Sequence, residues 1–186
     1  MVAIIDTCSL VSCARYYAPF DANDKFSDFV KEQIQDGVFV LLDKVALECK
    51  RQGQGVASKV YHFLNDANKK TLCDGIKLPQ KFYHMIDDNF QNKEARKLLE
   101  EDEYQFERDS YIQSADFAII AYAFSHKNDD IVVITEESEY SNDGKPFKKI
   151  PAICKIIGVK SMTIAEYLIQ DKRFRMSVDY DSSQLF

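Results

Sequence analysis

Four short apolar runs, rich in β-branched residues and separated by stretches of helical periodicity, constrain the fold of this chain more than any other feature. They are VAII at residues 2–5, VFVLL at 38–42, IVVIT at 131–135 and VKSM at 159–162. Uninterrupted apolar strands are typical of parallel sheets that are covered by helices on both faces. Because these runs alternate with helical stretches, the sequence predicts an α/β domain with a short, mainly parallel sheet.

Apolar residues at helical spacing predict helices between these runs. One helix runs from about Phe26 to Ile34, with Asp24 as its candidate N-cap, and a second starts at Ser58 and reaches Ala67. A third, strongly charged helix is predicted over residues 92–109. Its apolar stripe would consist of Ala95, Leu98, Leu99 and Phe106.

Two further segments carry clear helix signals. SADFAIIAYAFS (114–125) is apolar nearly all round, which predicts a helix buried in the middle of the fold, with Ser114 as its candidate N-cap. TIAEYLIQ (163–170) predicts a final helix, in which Thr163 and Glu166 have the spacing of a capping box. The all-helical region 44–127 is therefore expected to be an elaboration between the second and third strands.

The overall charge argues against one class of function. The chain has 186 residues, enough for one domain with a proper core, and its formal net charge is -6 with a pI near 5.1. Bulk electrostatics therefore do not attract nucleic acid, which argues against a protein that coats DNA or RNA non-specifically. A nuclease whose acidic site is bridged to phosphate by metal ions stays compatible with this charge.

The cysteines and the chain start predict a cytoplasmic protein. Five scattered cysteines without a CxxC motif favour neither a disulfide framework nor a zinc site, and they fit a reducing cytosol. Met1 leads directly into the first strand, which leaves no room for a signal peptide. No apolar run approaches the length that spans a bilayer, so we expect no membrane partner.

Acidic residues stand where strands end or helices begin. Asp6 closes the first run, Glu48 lies in the helical stretch DKVALECK after the second, and Asp116 starts the buried helix. Glu136 and Glu137 directly follow the third run. The carboxyl ends of parallel strands share one edge of a sheet, where α/β proteins bind ligands, so these acids are expected to meet there.

A cluster of carboxylates is costly, which is why it indicates chemistry. Two carboxylates about 4 Å apart repel by roughly 4 kcal/mol at an effective dielectric constant of about 20. Such a cluster would take up protons, recruit basic partners or bind a hard divalent cation. Oxygen-only ligands favour Mg²⁺ or Mn²⁺ over zinc.

Each acid also has a simpler explanation when it is considered alone. Asp6 would cap the following helix, Glu48 would be a solvated helix acid, and Glu136 and Glu137 would be solvated in the acidic loop EESEYSND. Asp116 is the hardest to explain in this way, because it opens an almost wholly apolar helix. The residues by themselves leave these alternatives open.

The motifs that carry these acids, in their order along residues 2–168, resemble the PIN-domain family of metal-dependent ribonucleases. The matching segments are AIIDTCS with Asp6 and Thr7, VALEC with Glu48, SADFAIIAYA with Asp116, and VVITEE with Thr135 and Glu137. One departure concerns the last acid, which is usually Asp in the family, so Glu136 is an alternative to Glu137 here. A second departure is the length of the region 44–127.

The resemblance implies a PIN-like three-layer α/β/α domain over residues 1–171, followed by a C-terminal tail at 172–186. It also implies Mg²⁺ or Mn²⁺ as cofactor and a metal-activated water that attacks an RNA phosphodiester. The acids that would hold the metal are Asp6, Glu48, Asp116 and Glu137, with Glu136 as the alternative and with Thr7 and Thr135 in support.

The segment KIPAIC at 149–154 resembles a branch of larger VapC-like toxins. That branch implies RNA as substrate and an antitoxin protein as partner, and it is compatible with a homodimer. Candidate phosphate contacts are Lys148, Lys149 and Lys155, in the most basic stretch of the chain; the alternative is that they lie in a solvated loop.

Other families fit the sequence less well. A haloacid-dehalogenase-like phosphatase requires a second Asp where this chain has Cys8, and a dinucleotide-binding Rossmann domain requires a GxGxxG motif that is absent. A PIN-like domain that has lost catalysis and binds RNA or protein stays open, because Glu137 replaces the usual Asp.

Overall fold

A computed structural model of the chain describes residues 1–21, 23–51, 55–66, 70–140, 144–171 and 174–175. It is an α/β structure with a four-stranded, all-parallel sheet flanked by helices, as the sequence predicts, and it is consistent with a three-layer α/β/α, PIN-like fold. The strands are β1 (Val2–Ile5), β2 (Phe39–Val40), β3 (Ile131–Ile134) and β4 (Lys160–Met162).

The strand order is β2-β1-β3-β4, so the chain reverses its direction of winding between β1 and β3. These two strands pair in register from Val2 with Ile131 to Ile5 with Ile134. All residues of β1 after Val2 are fully buried. The apolar runs form the sheet because helices cover both of its faces and leave little solvent-facing strand surface.

Ten helices lie in the described part of the chain, and several cover the sheet. They are α1 (Thr7–Ser12), α2 (Lys25–Gln35), α3 (Asp43–Cys49), α4 (Val56–Val60), α5 (Gln80–Asp88), α6 (Lys93–Arg96), α7 (Glu101–Gln113), α8 (Ala115–Ser125), α9 (Ile150–Ile157) and α10 (Ile164–Gln170). A π-helical turn at Cys13–Tyr17 continues α1.

The two helices with the strongest sequence signals are confirmed. Helix α8 lies in the core, in contact with α3, α7, α9 and β3, and the hydroxyl of Ser114 accepts the N–H of Phe117 at 3.1 Å. Helix α10 begins with the predicted capping box, in which Thr163 and Glu166 exchange hydrogen bonds. A strongly patterned segment with a cap residue thus defines its own structure here.

The charged helix predicted over residues 92–109 is wrong, because the chain forms two helices instead. Helix α6 ends in tight turns, in which Leu98 N–H donates to Ala95 O and Leu99 N–H donates to Arg96 O. Glu100 then has an extended backbone and starts α7 through a capping box with Glu103. A second N-terminal cap in the middle of a charged segment overrides its helical propensity.

The predicted apolar stripe of that segment is also wrong in part. Leu98 is 85% exposed and Phe106 is 72% exposed, whereas Tyr104 and Tyr111 are the buried residues of α7. The ring of Tyr111 stacks on that of Phe147 with centroids 4.3 Å apart. The break after α6 rotates α7 relative to a continuous helix, so that its tyrosines face the core.

The second predicted helix is shorter than expected. Helix α4 starts at Val56 and ends at Val60, and a 3₁₀ turn at His62–Asn65 follows it. Leu64 is buried under this turn. Ala67 lies outside the described residues.

The predicted N-cap position of α2 is confirmed, but the Asp24 side chain does not cap the helix. Asp24 is at the N-cap position, but its φ is 56° and its side chain makes no capping hydrogen bond to any described residue. A carboxylate oxygen of Asp21 instead accepts the N–H groups of Phe26 at 3.0 Å and Ser27 at 2.9 Å. A turn closed by Asp24 N–H and Asp21 O returns Asp21 to the start of the helix.

The domain boundary after residue 171 stays a prediction. Of the predicted tail, only Phe174 and Arg175 lie within the described residues. The ring of Phe174 packs against Phe26 and Phe29, with centroids 5.7 and 5.2 Å away. Within the described ranges, no helix combines the length and the apolar character that a membrane crossing requires.

We expect Asp21→Ala to lower the free energy of unfolding by about 1 kcal/mol, because it removes the acceptor that caps α2. Asp24→Asn is the matched control and should leave stability unchanged, since Asn readily adopts a left-handed backbone. Urea denaturation of the two variants checks this. A larger loss in Asp24→Asn than in Asp21→Ala would restore Asp24 as the functional cap.

Candidate active site

The candidate site lies at the carboxyl ends of β1 and β3, where the direction of winding reverses. Asp6 directly follows β1, and its backbone N–H donates to Ile134 O at 2.9 Å. Thr135 directly follows β3, and its N–H donates to Met162 O at 3.0 Å in β4. Open α/β sheets bind ligands in the crevice at such a switch point, because the loops leave the sheet there in opposite directions.

Three donors hold the carboxylate of Asp6. One oxygen accepts the N–H of Thr7 at 2.6 Å, and the other accepts the Cys8 thiol and the Thr135 hydroxyl, both at 2.8 Å. Asp6 is the N-cap residue of α1 as well. The simple explanation from the sequence and the functional one therefore describe the same geometry: Asp6 caps a helix and also faces the switch point.

Burial makes the Asp6 carboxylate costly to ionise. Asp6 is 4% exposed, and burial raises its pKa from 3.8 to about 6. The hydrogen bonds from Cys8 and Thr135 oppose this rise, whereas the negative charge of Glu137 adds to it. Asp6 thus binds a proton, or another cation, more strongly than an exposed aspartate does.

Glu48 reaches the same site from α3. Its carboxylate accepts the hydroxyl of Thr7 at 2.7 Å, so that Thr7 links Glu48 to the backbone beside Asp6. Glu48 is partly buried, and Cys49 next to it is fully buried. The helix predicted around Glu48 is confirmed, and its acid points toward β1 rather than into bulk solvent.

Asp116 lies in the first turn of α8 and is partly buried. Its pKa is raised from 3.8 to about 7, mainly by burial and then by the negative charges of Asp6, Glu137 and Glu48, in that order. The positive charge of Lys145 counteracts this rise in pKa. The four acids predicted from the sequence therefore act on one another at one locus.

The structure separates the two glutamates that follow β3. The carboxylate of Glu136 is bound by α1 and by the start of α10. One of its oxygens accepts the Ser9 hydroxyl at 3.2 Å and the N–H of Ile164 at 2.8 Å. Its charge raises the pKa of Cys13 and of Tyr17.

Glu137 lies on the side of Asp6 and Asp116, and two neighbouring residues bind its carboxylate. One of its oxygens accepts from the ammonium group of Lys149 at 3.0 Å, and the other accepts the N–H of Ile150 at 3.0 Å at the start of α9. Its charge raises the pKa of both Asp6 and Asp116. Of the two alternatives, Glu137 is the one on the side of the cluster.

The lysines predicted to contact phosphate are engaged inside the protein. Lys149 pairs with Glu137, Lys155 pairs with Glu139 at 3.0 Å, and the ammonium group of Lys148 donates to Asn89 O at 2.6 Å. Their positive charge is therefore partly neutralised or directed to a carbonyl. RNA contacts by Lys148 and Lys149 stay predictions.

The chemistry of the donors fits a hard divalent cation. All four acids offer only oxygen, and two of them have pKa values raised by burial and by neighbouring negative charge. In the part of the chain that is described, no group of three or more His, Cys, Asp or Glu side chains is arranged as a metal site. Glu48 and Glu137 are held by Thr7 and Lys149 instead.

Some residues of the site carry no clear signal in the sequence. The thiol of Cys8 donates to Asp6 and accepts the N–H of Glu136 at 3.1 Å, so it joins the ends of β1 and β3. Its position two residues after Asp6 is the only hint. Lys145 influences Asp116 from a polar loop without any motif.

Comparison with known proteins identifies the family of the chain. Residues 4–176 match a domain of unknown function, DUF4411, and the chain belongs to this family. The match includes the second half of β1, the candidate site and the described part of the C-terminal segment up to Arg175. No curated protein and no solved structure matches the chain.

The raised pKa values predict how stability depends on pH without divalent metal. A carboxyl whose pKa is higher in the folded state binds its proton more tightly there, so each acid destabilises the fold as pH rises from about 4 to 7. We expect Asp116→Asn to increase the free energy of unfolding by about 2 kcal/mol near pH 8, and much less near pH 4.

Urea denaturation in EDTA at several pH values measures this difference. Asp129→Asn is the matched control, because Asp129 is exposed and precedes β3 at the opposite edge of the sheet. An equal gain at low and high pH, or a loss at high pH, would show that Asp116 is not under electrostatic strain.

Proposed function

We propose that this protein is a metal-dependent endoribonuclease that cleaves RNA phosphodiester bonds. The observation that supports it best is the convergence of Asp6, Glu48, Asp116 and Glu137. These acids come from four separate segments and influence one another at the switch point of the sheet. A purely structural role does not explain why a core helix begins with a partly buried acid among three other acids.

The protein's own groups would prepare the site. Asp6 is fixed by three hydrogen bonds and Glu48 by the hydroxyl of Thr7, so both carboxylates are held in place before a ligand arrives. Asp116 lies in the first turn of α8, where the helix dipole favours its ionised form. With a pKa of about 7, it can lose its proton near neutral pH when a cation binds.

Asp6, Glu48, Asp116 and Glu137 are the residues that would hold Mg²⁺ or Mn²⁺. When bound there, the ion would supply a water of lowered pKa and would neutralise charge on the phosphate. Thr7 and Thr135 would keep two of the acids oriented, because each donates its hydroxyl to one of them. Lys149 would be available to phosphate only if it left Glu137.

The biological role that we propose is that of the toxin of a bacterial toxin–antitoxin pair, similar to VapC-like PIN-domain proteins. The order of the four motifs along the chain supports this, as does the all-parallel sheet with its acids at the switch point. RNA would be the substrate and an antitoxin the protein partner. A homodimer is compatible with this proposal.

The second candidate is a PIN-like module that binds RNA or protein without cleaving it. The contacts of Glu48 with Thr7 and of Glu137 with Lys149 and Ile150 favour it, because they use two of the four acids inside the protein. The two candidates differ in one measurable respect. Only the nuclease turns RNA over when a divalent metal is added, whereas the module leaves RNA intact whether or not it binds it.

We expect the purified protein to cleave single-stranded RNA in Mn²⁺ or Mg²⁺ and not in EDTA. Asp6→Asn and Asp116→Asn should each lower the cleavage rate by roughly 10²–10⁴-fold, since each removes a charged ligand at the reacting phosphate. Gel analysis of end-labelled RNA measures the rate. Asp129→Asn is the control with the same change of charge.

Wild-type rates in either site variant would disprove the four-acid site. RNA binding without cleavage in any divalent metal would favour the non-catalytic module. Thermal unfolding of each variant should accompany the assay, so that a loss of fold is not mistaken for a loss of chemistry.

The two glutamates after β3 give a further prediction. Glu137→Gln should reduce cleavage strongly, because it removes one of the four acids that are proposed to hold the metal ion, whereas Glu136→Gln should keep the wild-type rate. The dependence of the rate on Mn²⁺ concentration is the measurement, and it should shift to higher concentration only in Glu137→Gln. The reverse pattern would make Glu136 the fourth acid.

A further inference from the structure

A lysine-rich groove lies on the exposed side of α3. It is a cavity of about 270 Å³ lined by Asp43, Lys44, Leu47, Lys50 and Lys70. Three lysines and one aspartate thus line the same cavity, in a chain whose overall charge is negative. A local excess of positive charge against an acidic background indicates a site for an anion rather than a solvated surface.

The charges of these lysines are not neutralised within the described residues. Lys44 and Lys70 approach only backbone carbonyls, those of Ile112 and Asn65, each at 3.5 Å. None of Lys44, Lys50 and Lys70 forms an ion pair in the described ranges. They differ in this from Lys149 and Lys155, each of which pairs with a glutamate.

The one acid of the groove is held in place by the backbone. An oxygen of Asp43 accepts the N–H of Lys44 at 2.8 Å and that of Cys73 at 3.3 Å. Thr71 pairs with the chain beyond β2, with its N–H on Leu41 O at 2.8 Å. This pairing brings Lys70 to the end of the sheet at which the strands terminate, which is also the end that carries the acids.

Helix α3 carries residues of both the groove and the candidate active site. Lys44 and Glu48 are four residues apart and therefore neighbours on the helix surface. Lys44 also contacts the carbonyl of Ile112, four residues before Asp116. Lys44 therefore lies next to Glu48 and to the segment that leads to Asp116.

We propose that the groove formed by Lys44, Lys50 and Lys70 binds phosphates of the RNA backbone beside the bond that is cleaved. This inference rests on the proposed ribonuclease function and identifies where its substrate lies. A strand that crosses the carboxylate cluster needs cations on at least one side, because the cluster itself repels phosphate. The groove is the unpaired cationic surface that adjoins Glu48.

RNA explains the groove better than an acidic protein segment does. Leu47 and Leu72 near the groove are 48% and 69% exposed, but the side chains that line the cavity are mainly charged. Three lysines in one groove beside the candidate active site can contact several phosphates of one strand, and phosphate contacts of this kind supply most of the non-specific affinity for nucleic acid. An acidic peptide is therefore the alternative outcome of the test.

The experiment measures binding without turnover. Fluorescence anisotropy of a labelled, unstructured oligoribonucleotide is recorded in EDTA over a series of salt concentrations. The variant Lys44→Gln/Lys50→Gln/Lys70→Gln is compared with wild type and with Lys25→Gln/Lys81→Gln/Lys93→Gln, which removes three exposed lysines of other helices.

We expect the groove variant to bind about tenfold more weakly or worse, and its salt dependence to be shallower by about 2 in log–log slope, while the control retains the wild-type slope. Equal binding by the two triple variants would overturn the groove and leave the proposed function intact. If wild type binds no RNA in EDTA even at low salt, the groove fails, whereas the proposed function is decided separately by the cleavage assay in Mn²⁺ or Mg²⁺.

Two additions keep the result unambiguous. Lys50→Gln alone changes an exposed side chain, so it should fold normally and still reduce the salt dependence by about one third as much. A labelled polyglutamate peptide is the competing probe. Loss of peptide binding with RNA binding unchanged would assign the groove to an acidic protein partner and overturn the proposal.

Discussion

Hydrogen bonds connect Asp6, at the end of β1, to the end of β3, where the direction of winding of the sheet reverses. Its N–H is bonded to Ile134 of β3, and its carboxylate accepts from Thr135 at the end of the same strand. Thr7, bonded to Asp6 through its N–H, in turn holds Glu48 of α3. Contacts with Asp6 and Thr7, directly after β1, therefore set the positions of β1, β3 and α3 relative to one another. These positions determine the geometry of the candidate site.

Contacts of the same kind explain how the chain tolerates several acids together. Asp6 receives three hydrogen bonds, Glu48 receives one from Thr7, and Glu137 is paired with Lys149 and the start of α9. Burial and its acidic neighbours raise the pKa of Asp116 to about 7, above the value of about 6 for Asp6. The cost of ionisation is thus largest at Asp116, which is the arrangement expected where a proton or a cation is exchanged.

Charge is also distributed unevenly on a larger scale. The whole chain is acidic, yet Lys44, Lys50 and Lys70 form a groove next to the acids on α3. The basic stretch that stands out in the sequence is instead paired with Glu137 and Glu139. A stretch of sequence that is rich in lysine therefore does not by itself identify a binding surface, because some of these lysines form ion pairs in the folded protein.

Much of the fold follows from the sequence alone, because β-branched apolar runs and the apolar segment of α8 each have one environment in which they are stable. The same patterns also locate, in the sequence, the four segments that carry the acids of the candidate site. Only the tertiary structure decided that Asp21 rather than Asp24 caps α2, that a second cap at Glu100 divides the charged helix, and that Glu137 rather than Glu136 faces the cluster. These outcomes depend on turns and on partners distant in the chain, which no local pattern records.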